Sequence, residues 1–382
     1  MRSSLKSSLK VSLVSLILIF SLTGVSLAHK HHSYVREDGN QVSNPNWMSI
    51  LPDGILLSQL SIPGTHQSLS RHSDGITPLD AVKNQSMALR FQLESGIRVL
   101  DVRCAVDKKT RNSFDIYHGA YYQKENFGGV LDTVAAFLRA HPSETVLMRV
   151  KNEHTSDPEE FREIFLNTYW NNDKYRDFIP MKMPRNPTLG EMRGKIVILQ
   201  DFARWQCATP TSTAEFGICY STFEIQDSFK HQGYAKWVSV KTYLDRANKG
   251  FDEGTNWGTK YINYLSAEGA GSDWIPRPWF VASGHVNPRT DADRQWAGNR
   301  NRNEWPDFPR IPDNRGRQRI YYEGMNTLTY DFIRNGHFTK RVGIIMADFP
   351  GGGLIERIIC INYEKPTPMC QRLPPCEGPL CR

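Results

Sequence analysis

The apolar run Val342–Ala347 (VGIIMA) decides the fold class of this 382-residue chain. A continuous apolar run of this length is typical of a β-strand that is covered on both faces, as in a parallel sheet. Comparable runs occur at 97–102, 114–117, 145–150, 195–199 and 280–282, at intervals that are too long for hairpins. Because helical patterns such as Leu131–Ala140 separate them, the order predicts βαβ units, and hence an α/β barrel or a doubly wound sheet.

The composition excludes several classes of protein. With 39% hydrophobic and 23% charged residues, the chain can bury a core and is not a fibrous, disordered or multi-span membrane protein. It has no GxGxxG motif and no GxxxxGKS/T motif, so dinucleotide and P-loop folds lack their phosphate-binding loops. No polybasic block indicates a nucleic-acid partner. The arginine-rich stretch 287–319 is predicted to be an exposed surface loop.

The first 28 residues have the pattern of a secretory signal peptide. Arg2, Lys6 and Lys10 precede the apolar run Val11–Leu22, and small residues suited to cleavage follow at 26–28. A membrane anchor is the alternative, but the apolar run is shorter than the roughly 20 residues of a membrane-spanning helix. We therefore expect a cleaved and secreted protein.

Seven cysteines in an exported chain indicate disulfides rather than a metal site. They are Cys104, Cys207, Cys219, Cys360, Cys370, Cys376 and Cys381. Cys207 and Cys219 could close a short loop, and the last four lie close together among prolines. Cys104 lies alone in a predicted buried strand, so we expect it to be the free thiol.

Two histidines follow predicted strand ends, where α/β folds place their active groups. His66 comes after a Pro-Gly turn that follows a short strand ending at Ile62, and His118 ends a second strand beside Gly119. Between them, strand alternation places Asp101 and Arg103 on one face. Two histidines beside an arginine suit phosphodiester cleavage, because one histidine can accept a proton, the other can donate one, and arginine neutralises the phosphoryl oxygens. A structural ion pair is the alternative for Asp101 and Arg103.

Ordered motifs give the chain a specific resemblance. They are SIPGTH at 61–66, LDVR at 100–103, HG at 118–119, PSETVLMRVK at 142–151 and LGEMRGKIV at 189–197. Together they resemble the secreted bacterial phosphatidylinositol-specific phospholipases C, and weaker similarity extends the match to roughly residues 45–360. The resemblance implies a single distorted TIM-type (β/α) barrel. We therefore expect a signal peptide at 1–28, one catalytic barrel at 29–364, and a proline- and cysteine-rich tail at 365–382.

The resemblance also implies a reaction and its residues. The inositol 2-hydroxyl would attack phosphorus, releasing diacylglycerol and leaving a 1,2-cyclic inositol phosphate. His66 would be the general base, held by Asp348, and His118 the general acid. Arg103 would bind the phosphate with Asp101 beside it. Lys151 and Asp227 match the positions that bind the inositol ring.

Three positions depart from the family pattern. Gln67 replaces the aspartate that partners the general acid, and a neutral amide stabilises an imidazolium less than a carboxylate does. Asp201 replaces an arginine, and Phe229 replaces a tyrosine. These last two changes bear on which headgroup binds.

The same comparison of motifs predicts the requirements for metal and membrane. Calcium-dependent relatives carry acidic residues where this chain has Arg103, so no cofactor is expected and calcium is not required. A lipid substrate needs peripheral contact with a bilayer, for which Trp274 in an aromatic loop is a candidate. We expect a monomer. Two alternatives stay open: cleavage of another headgroup such as a glycosyl-phosphatidylinositol anchor, and non-catalytic binding of inositol phosphates or membranes.

Overall fold

The computed structural model describes residues 32–39, 42–73, 81–155, 157–268, 278–286, 294–298, 304–337, 340–365 and 367–371. The predicted signal peptide, Trp274, Cys376 and Cys381 lie outside these residues. Within them, no helix is both long and apolar enough to cross a bilayer.

Twelve strands are present in the described residues. They are β1 (Ile62–Thr65), β2 (Val99–Val106), β3 (Phe114–His118), β4 (Tyr121–Asn126), β5 (Val146–Asn152), β6 (Ile196–Asp201), β7 (Ile218–Cys219), β8 (Glu224–Gln226), β9 (Tyr261–Tyr264), β10 (Arg310–Pro312), β11 (Gln318–Ile320) and β12 (Ile344–Ala347).

Eight of these strands form the curled parallel sheet of a distorted barrel, which confirms the predicted fold class. Their order around the sheet is β7-β6-β5-β2-β1-β12-β9-β8, and every neighbouring pair is parallel. The order follows the chain, as it does in a (β/α) barrel. The ends of the sheet, β7 and β8, are joined in sequence by a short 3-10 turn at Tyr220–Thr222.

Helices connect and cover the strands. They are α1 (Leu89–Ser95), α2 (Phe127–Ala140), α3 (Pro158–Ile164), α4 (Asp173–Arg176), α5 (Leu189–Met192), α6 (Gly233–Asp252), α7 (Pro278–Ser283), α8 (Met325–Phe332), α9 (Gly352–Cys360) and α10 (Pro368–Gln371). The amphipathic helix α2 shows why they form: its large apolar side chains, including Val130, Val134 and Leu138, are buried. Its first turn is capped by the side chain of Asn126, which accepts a hydrogen bond from Gly129 N.

The strands are apolar because both of their faces are covered. In β5, Val146, Leu147, Met148 and Val150 are all fully buried. Polar side chains appear only towards the carboxyl end of this strand, at Arg149 and Lys151, which is the edge where the pocket lies. This change from apolar to polar residues along β5 marks the end of the barrel at which the candidate site lies.

The structure corrects three predictions about secondary structure. Residues 280–282 belong to helix α7 rather than to a strand, since Pro278 suits a helix start and the run is too short to indicate a strand. Strand β1 begins at Ile62 instead of ending there, and Pro63 and Gly64 lie inside it. Hairpins are present: β2, β3 and β4 form an antiparallel meander.

The predicted surface loop at 287–319 is also partly wrong. In its described portion, Phe308 is fully buried, and Asp307 accepts hydrogen bonds from Trp237 Nε1 (2.6 Å) and Lys241 Nζ (2.7 Å) on α6. These contacts attach the segment to the outside of the barrel. Aromatic residues within an otherwise polar stretch were the signal for this packing.

The structure confirms the Cys207–Cys219 pair and the free thiol, and it adds one pairing that the sequence left open. Disulfides join Cys207 to Cys219 and Cys360 to Cys370, and Cys104 is buried and free. The second disulfide attaches the beginning of the predicted tail to helix α9.

Candidate active site

A pocket of about 490 Å³ opens at the carboxyl ends of the parallel strands. Its lining comes from segments far apart in the sequence: His66, Gln67, Ala81, Asn84, Arg103, His118, Arg149, Lys151, Asp227, Phe229, Ser266, Ala267, Glu268, Pro278 and Asp348. The structure thus brings most of the predicted site residues together. Asp101 and Asp201 do not line the pocket but contact residues that do.

His66 follows β1 directly, and its two ring nitrogens have different partners. Nδ1 lies 2.9 Å from Asp348 Oδ1, on the residue that follows β12, and Nε2 lies 3.0 Å from Arg103 Nη2. Because a guanidinium can only donate, Nε2 must be the acceptor, and Nδ1 carries the proton that is donated to Asp348. Asn84 Nδ2 donates to the same carboxylate oxygen at 3.0 Å. His66 therefore presents an unprotonated Nε2 to the pocket.

Asp101 and Arg103 lie on one face of β2, as strand alternation predicts. Asp101 is fully buried, and its Oδ2 accepts from Arg103 Nη2 at 3.2 Å and from Gln67 N at 3.1 Å. Burial alone would raise the pKa of Asp101, but the guanidiniums of Arg103 and Arg149 hold it well below its usual range. Asp101 therefore remains ionised and fixes Arg103 at the pocket wall.

Arg149 is a pocket residue that the sequence analysis missed. Its Nη1 donates to Asp101 Oδ1 (3.2 Å) and to Tyr264 Oη (3.0 Å), while its Nη2 donates to Asp201 Oδ2 (2.7 Å). The guanidinium also stacks on the ring of Tyr220 at 4.2 Å. The signal was available, because Arg149 alternates with Lys151 and lies directly across from Asp101 in the β2–β5 register.

His118 ends β3. The prediction placed it on a neighbouring barrel strand, but β3 is an antiparallel strand outside the parallel sheet. Its Nδ1 lies 2.9 Å from Ser70 Oγ and 3.1 Å from the carbonyl oxygen of Val82. The pKa of His118 is lowered to about 4. Burial is the largest cause, and the charges of His66 and Arg103 lower the pKa further. Its imidazole is therefore neutral at physiological pH when the pocket is empty.

A further ion-pair network lies beside His118. Glu153 Oε2 pairs with Lys151 Nζ at 3.1 Å, and Glu153 Oε1 accepts from Gly119 N at 3.1 Å. Arg103 Nη1 is 3.8 Å from the same oxygen. Burial would raise the pKa of Glu153, but Arg103 and Lys151 lower it, so the carboxylate is ionised. Glu153 thus joins the end of β5 to the turn that holds His118.

Sequence comparison identifies the family to which these residues belong. Residues 60–201 match the family described as phosphatidylinositol-specific phospholipase C, X domain. The chain is 30% identical over 288 residues to the 1-phosphatidylinositol phosphodiesterase of Staphylococcus aureus (strain NCTC 8325 / PS 47), covering 71% of this chain and 85% of that protein. The chain belongs to the phosphatidylinositol-specific phospholipase C family. The protein of the same name from Listeria monocytogenes is 33% identical over 206 residues, which cover 52% of this chain and 62% of that relative.

Solved phospholipase C structures share the fold. A phosphatidylinositol-specific phospholipase C from Staphylococcus aureus superposes with a TM-score of 0.61 at 24% identity, over 85% of this chain and 98% of the other. The Listeria monocytogenes enzyme superposes with a TM-score of 0.58 at 25% identity, over 84% of this chain and 100% of that chain. These matches confirm the barrel.

The departures from the family pattern now have positions in the phospholipase C barrel. Gln67 is buried with a positive φ of 45°, and its backbone N donates to Asp101. Asp201 accepts from Arg149, so a cation is present beside the position where the family pattern has its arginine. Phe229 lines the pocket and is 41% exposed, which places an aromatic ring without a hydroxyl at the rim.

Four supporting residues escaped prediction: Ser70, Asn84, Glu153 and Tyr264. Their contacts join segments that are 18 to 264 residues apart in the chain. Strand alternation indicates Glu153 only weakly, because it lies just beyond β5. For Ser70, Asn84 and Tyr264, no local pattern distinguishes a site residue from an ordinary buried polar one.

Proposed function

We propose that this chain cleaves phosphatidylinositol to diacylglycerol and a 1,2-cyclic inositol phosphate. The observation that supports it most directly is that His66 and His118, 52 residues apart in the sequence, line one pocket together with Arg103. The named activity of the Staphylococcus and Listeria relatives provides the substrate class.

His66 is the general base in this proposal. Its Nδ1–H is held by Asp348, which is 3% exposed, so the unprotonated Nε2 faces the pocket. The carboxylate orients the ring and stabilises the imidazolium that forms when Nε2 accepts the proton of the inositol 2-hydroxyl. The 2-oxygen then attacks phosphorus within the same molecule, which requires no second reactant.

Arg103 binds the phosphate, and His118 completes the reaction. Arg103 Nη2 contacts His66 Nε2 at 3.0 Å, so phosphoryl oxygens held by this guanidinium lie next to the base. As the new bond from the 2-oxygen to phosphorus forms, the bond from phosphorus to the glycerol oxygen breaks. His118 Nε2 protonates that glycerol oxygen. One proton is taken up by His66 and one is given by His118, so the net charge of the pair is conserved.

We propose that the reaction needs no metal ion. Arg103 supplies the positive charge that a cation would supply at the phosphoryl oxygens, and Asp101 keeps it in place. Within the described residues, no group of three or more His, Cys, Asp or Glu side chains is arranged to hold a metal. The test is activity in the presence of a chelator.

The inositol ring is proposed to lie against Lys151 and Asp227, which line the pocket. An ammonium and a carboxylate suit adjacent ring hydroxyls, because one donates hydrogen bonds and the other accepts them. Phe229 at the rim offers an apolar face to the ring. Cleavage of glycosyl-phosphatidylinositol anchors remains the alternative within the same chemistry, and a panel of headgroups distinguishes the two.

We also propose that the chain acts outside the cell, at a membrane surface, as a monomer. Two disulfides suit an oxidising compartment. Cleavage of a signal peptide at 1–28 and a boundary between barrel and tail near residue 364 belong to the same proposal. A Staphylococcus aureus relative has been studied for modulation of its membrane binding, and peripheral contact follows from a lipid substrate.

The test is release of diacylglycerol and cyclic inositol phosphate from phosphatidylinositol vesicles, with EDTA and with added calcium. We expect wild type to turn over equally under both conditions. His66→Ala should reduce kcat by at least about 10²-fold, because the base is lost. His141→Ala is the matched control, since His141 lies at the end of α2 outside the pocket and should leave turnover unchanged.

Three results would count against the proposal. A requirement for calcium would contradict the metal-free mechanism. Cleavage of glycosyl-phosphatidylinositol without cleavage of phosphatidylinositol would support the alternative headgroup. Vesicle binding by wild type and His66→Ala, with no turnover by either, would indicate that the barrel only binds lipid.

A further inference from the structure

The general acid of this site has two neutral partners at its Nδ1 nitrogen. Ser70 Oγ lies 2.9 Å from His118 Nδ1, and the carbonyl oxygen of Val82 lies 3.1 Å from it. The Ser70 hydroxyl itself donates to Val82 O at 2.6 Å. Its proton is thus used, so its oxygen accepts from His118. Both contacts place the proton on Nδ1 and leave Nε2 for the substrate.

Ser70 is held firmly enough to orient a ring. It is 2% exposed, and its own carbonyl oxygen accepts hydrogen bonds from Asn84 N (2.8 Å) and Gln85 N (3.0 Å). Asn84 also donates to Asp348, the partner of His66. The segment 82–85 therefore connects the supports of both histidines.

The charges that face His118 do not favour its protonation in the empty pocket. Burial is the largest effect that lowers its pKa, His66 and Arg103 add to it, and the Val82 carbonyl and Asp348 act in the opposite direction. Glu153 contacts the neighbouring Gly119 N, but it is paired with Lys151 and lies 3.8 Å from Arg103. An anionic phosphodiester would neutralise Arg103 and reverse this balance.

We propose that Ser70 is the positioning residue of the general acid, in the role that the family pattern gives to an aspartate at position 67. This inference rests on the proposed function. Ser70 and the Val82 carbonyl fix the neutral Nδ1–H form of His118, and Nε2 takes a proton from solvent when the phosphodiester anion enters. The substrate, rather than a resident carboxylate, supplies the counter-charge of the acid.

The first test compares two substrates in Ser70→Ala. Phosphatidylinositol releases a glycerol oxygen, which needs a proton, whereas a p-nitrophenyl ester of inositol phosphate releases p-nitrophenolate, which needs none. We expect Ser70→Ala to lower kcat about tenfold on phosphatidylinositol and to change it less than twofold on the ester, because only the acid step is affected. Ser70→Thr keeps a hydroxyl and should recover most of the loss.

Ser86→Ala is the matched control. Ser86 is a buried serine of the same region, and its hydroxyl donates to Val35 O at 3.0 Å without touching either histidine. It should leave both activities unchanged. An equal loss on both substrates in Ser70→Ala would overturn the proposal in favour of a purely structural role, and no loss on either would overturn it outright.

A second measurement does not depend on turnover. ¹⁵N NMR of the His118 ring should show the single Nδ1–H tautomer in wild type and a mixture of tautomers in Ser70→Ala. If wild type cleaves neither substrate, the proposed function fails, and with it the role of an acid. A mixture already present in wild type would instead overturn the positioning role of Ser70 alone.

Discussion

At the scale of single residues, the partners of the two histidines set their different states. His66 Nδ1 contacts the carboxylate of Asp348, whereas the partners of His118 Nδ1 among the described residues are Ser70 Oγ and the Val82 carbonyl. A carboxylate stabilises the imidazolium that forms when its histidine accepts a proton, and neutral oxygens do so far less. In the proposed mechanism, the carboxylate therefore suits the histidine that must accept a proton, and the neutral oxygens serve to orient the other ring.

This difference predicts the pH dependence of catalysis. Burial together with His66 and Arg103 lowers the pKa of His118 to about 4, and the reactive form needs His118 protonated. Because kcat/KM reports the free enzyme, the limb that depends on protonated His118 should fall as the pH rises through and above about 4. In Gln67→Asp, a carboxylate in the pocket raises the pKa of His118, so this alkaline fall should move to higher pH. Rate profiles on phosphatidylinositol check this, with Gln67→Glu and Gln67→Asn as controls for size and charge; an unshifted limb in Gln67→Asp would contradict it.

At the scale of elements, the strand register places four charged side chains in a row. Arg103, Asp101, Arg149 and Asp201 alternate in sign across β2, β5 and β6. Arg149 is 8% exposed and contacts both carboxylates, so its removal takes a compensating charge from buried Asp101 and from partly buried Asp201. The row therefore supports both the barrel and the pocket.

We expect Arg149→Met to lower the free energy of unfolding by about 3 kcal/mol. Arg149→Met/Asp201→Asn should recover part of this loss, because one of the two carboxylates that Arg149 contacts is then neutral. Arg317→Met is the control: the Arg317 side chain, which pairs with Asp313, is 60% exposed, so its removal should change the free energy of unfolding far less. Urea denaturation of the four proteins measures these effects, and equal losses for Arg149→Met and Arg317→Met would refute the role of the row.

The sequence indicates elements better than it indicates contacts between them. Apolar runs locate β5, β6 and β12, because strands covered on both faces must be apolar throughout. Residues near predicted strand ends indicate His66 and Arg103, because the barrel places strand ends together, whereas Lys151 is indicated by the family resemblance. The β3–β4 hairpin and the Ser70–His118 contact depend on how distant segments pack, and no local period records that packing.

At the scale of the whole molecule, the barrel is closed by side chains where β7 and β8 end the sheet. Tyr220, in the turn between these strands, contacts Tyr264 Oη through its own hydroxyl at 2.7 Å, and its ring supports Arg149. The disulfide between Cys207 and Cys219 ends next to Tyr220, and Ser221 Oγ donates to Cys207 O at 2.7 Å. This covalent link therefore holds the turn that supports the floor of the pocket.

Removing this disulfide should affect both stability and activity. Cys207→Ser/Cys219→Ser frees a loop closed over a sequence separation of 12, which should lower the free energy of unfolding by about 3 kcal/mol. Because the turn then supports Tyr264 and Arg149 less rigidly, kcat on phosphatidylinositol should also fall several-fold at a temperature where the variant is folded.

Cys360→Ser/Cys370→Ser opens a loop of similar length, with a separation of 10, at helix α9 away from the pocket. It should lower stability by a similar amount and leave kcat unchanged. Denaturation and vesicle assays on both double variants separate the two effects, and equal kcat values in the two would show that the turn linked by Cys207–Cys219 does not support the site.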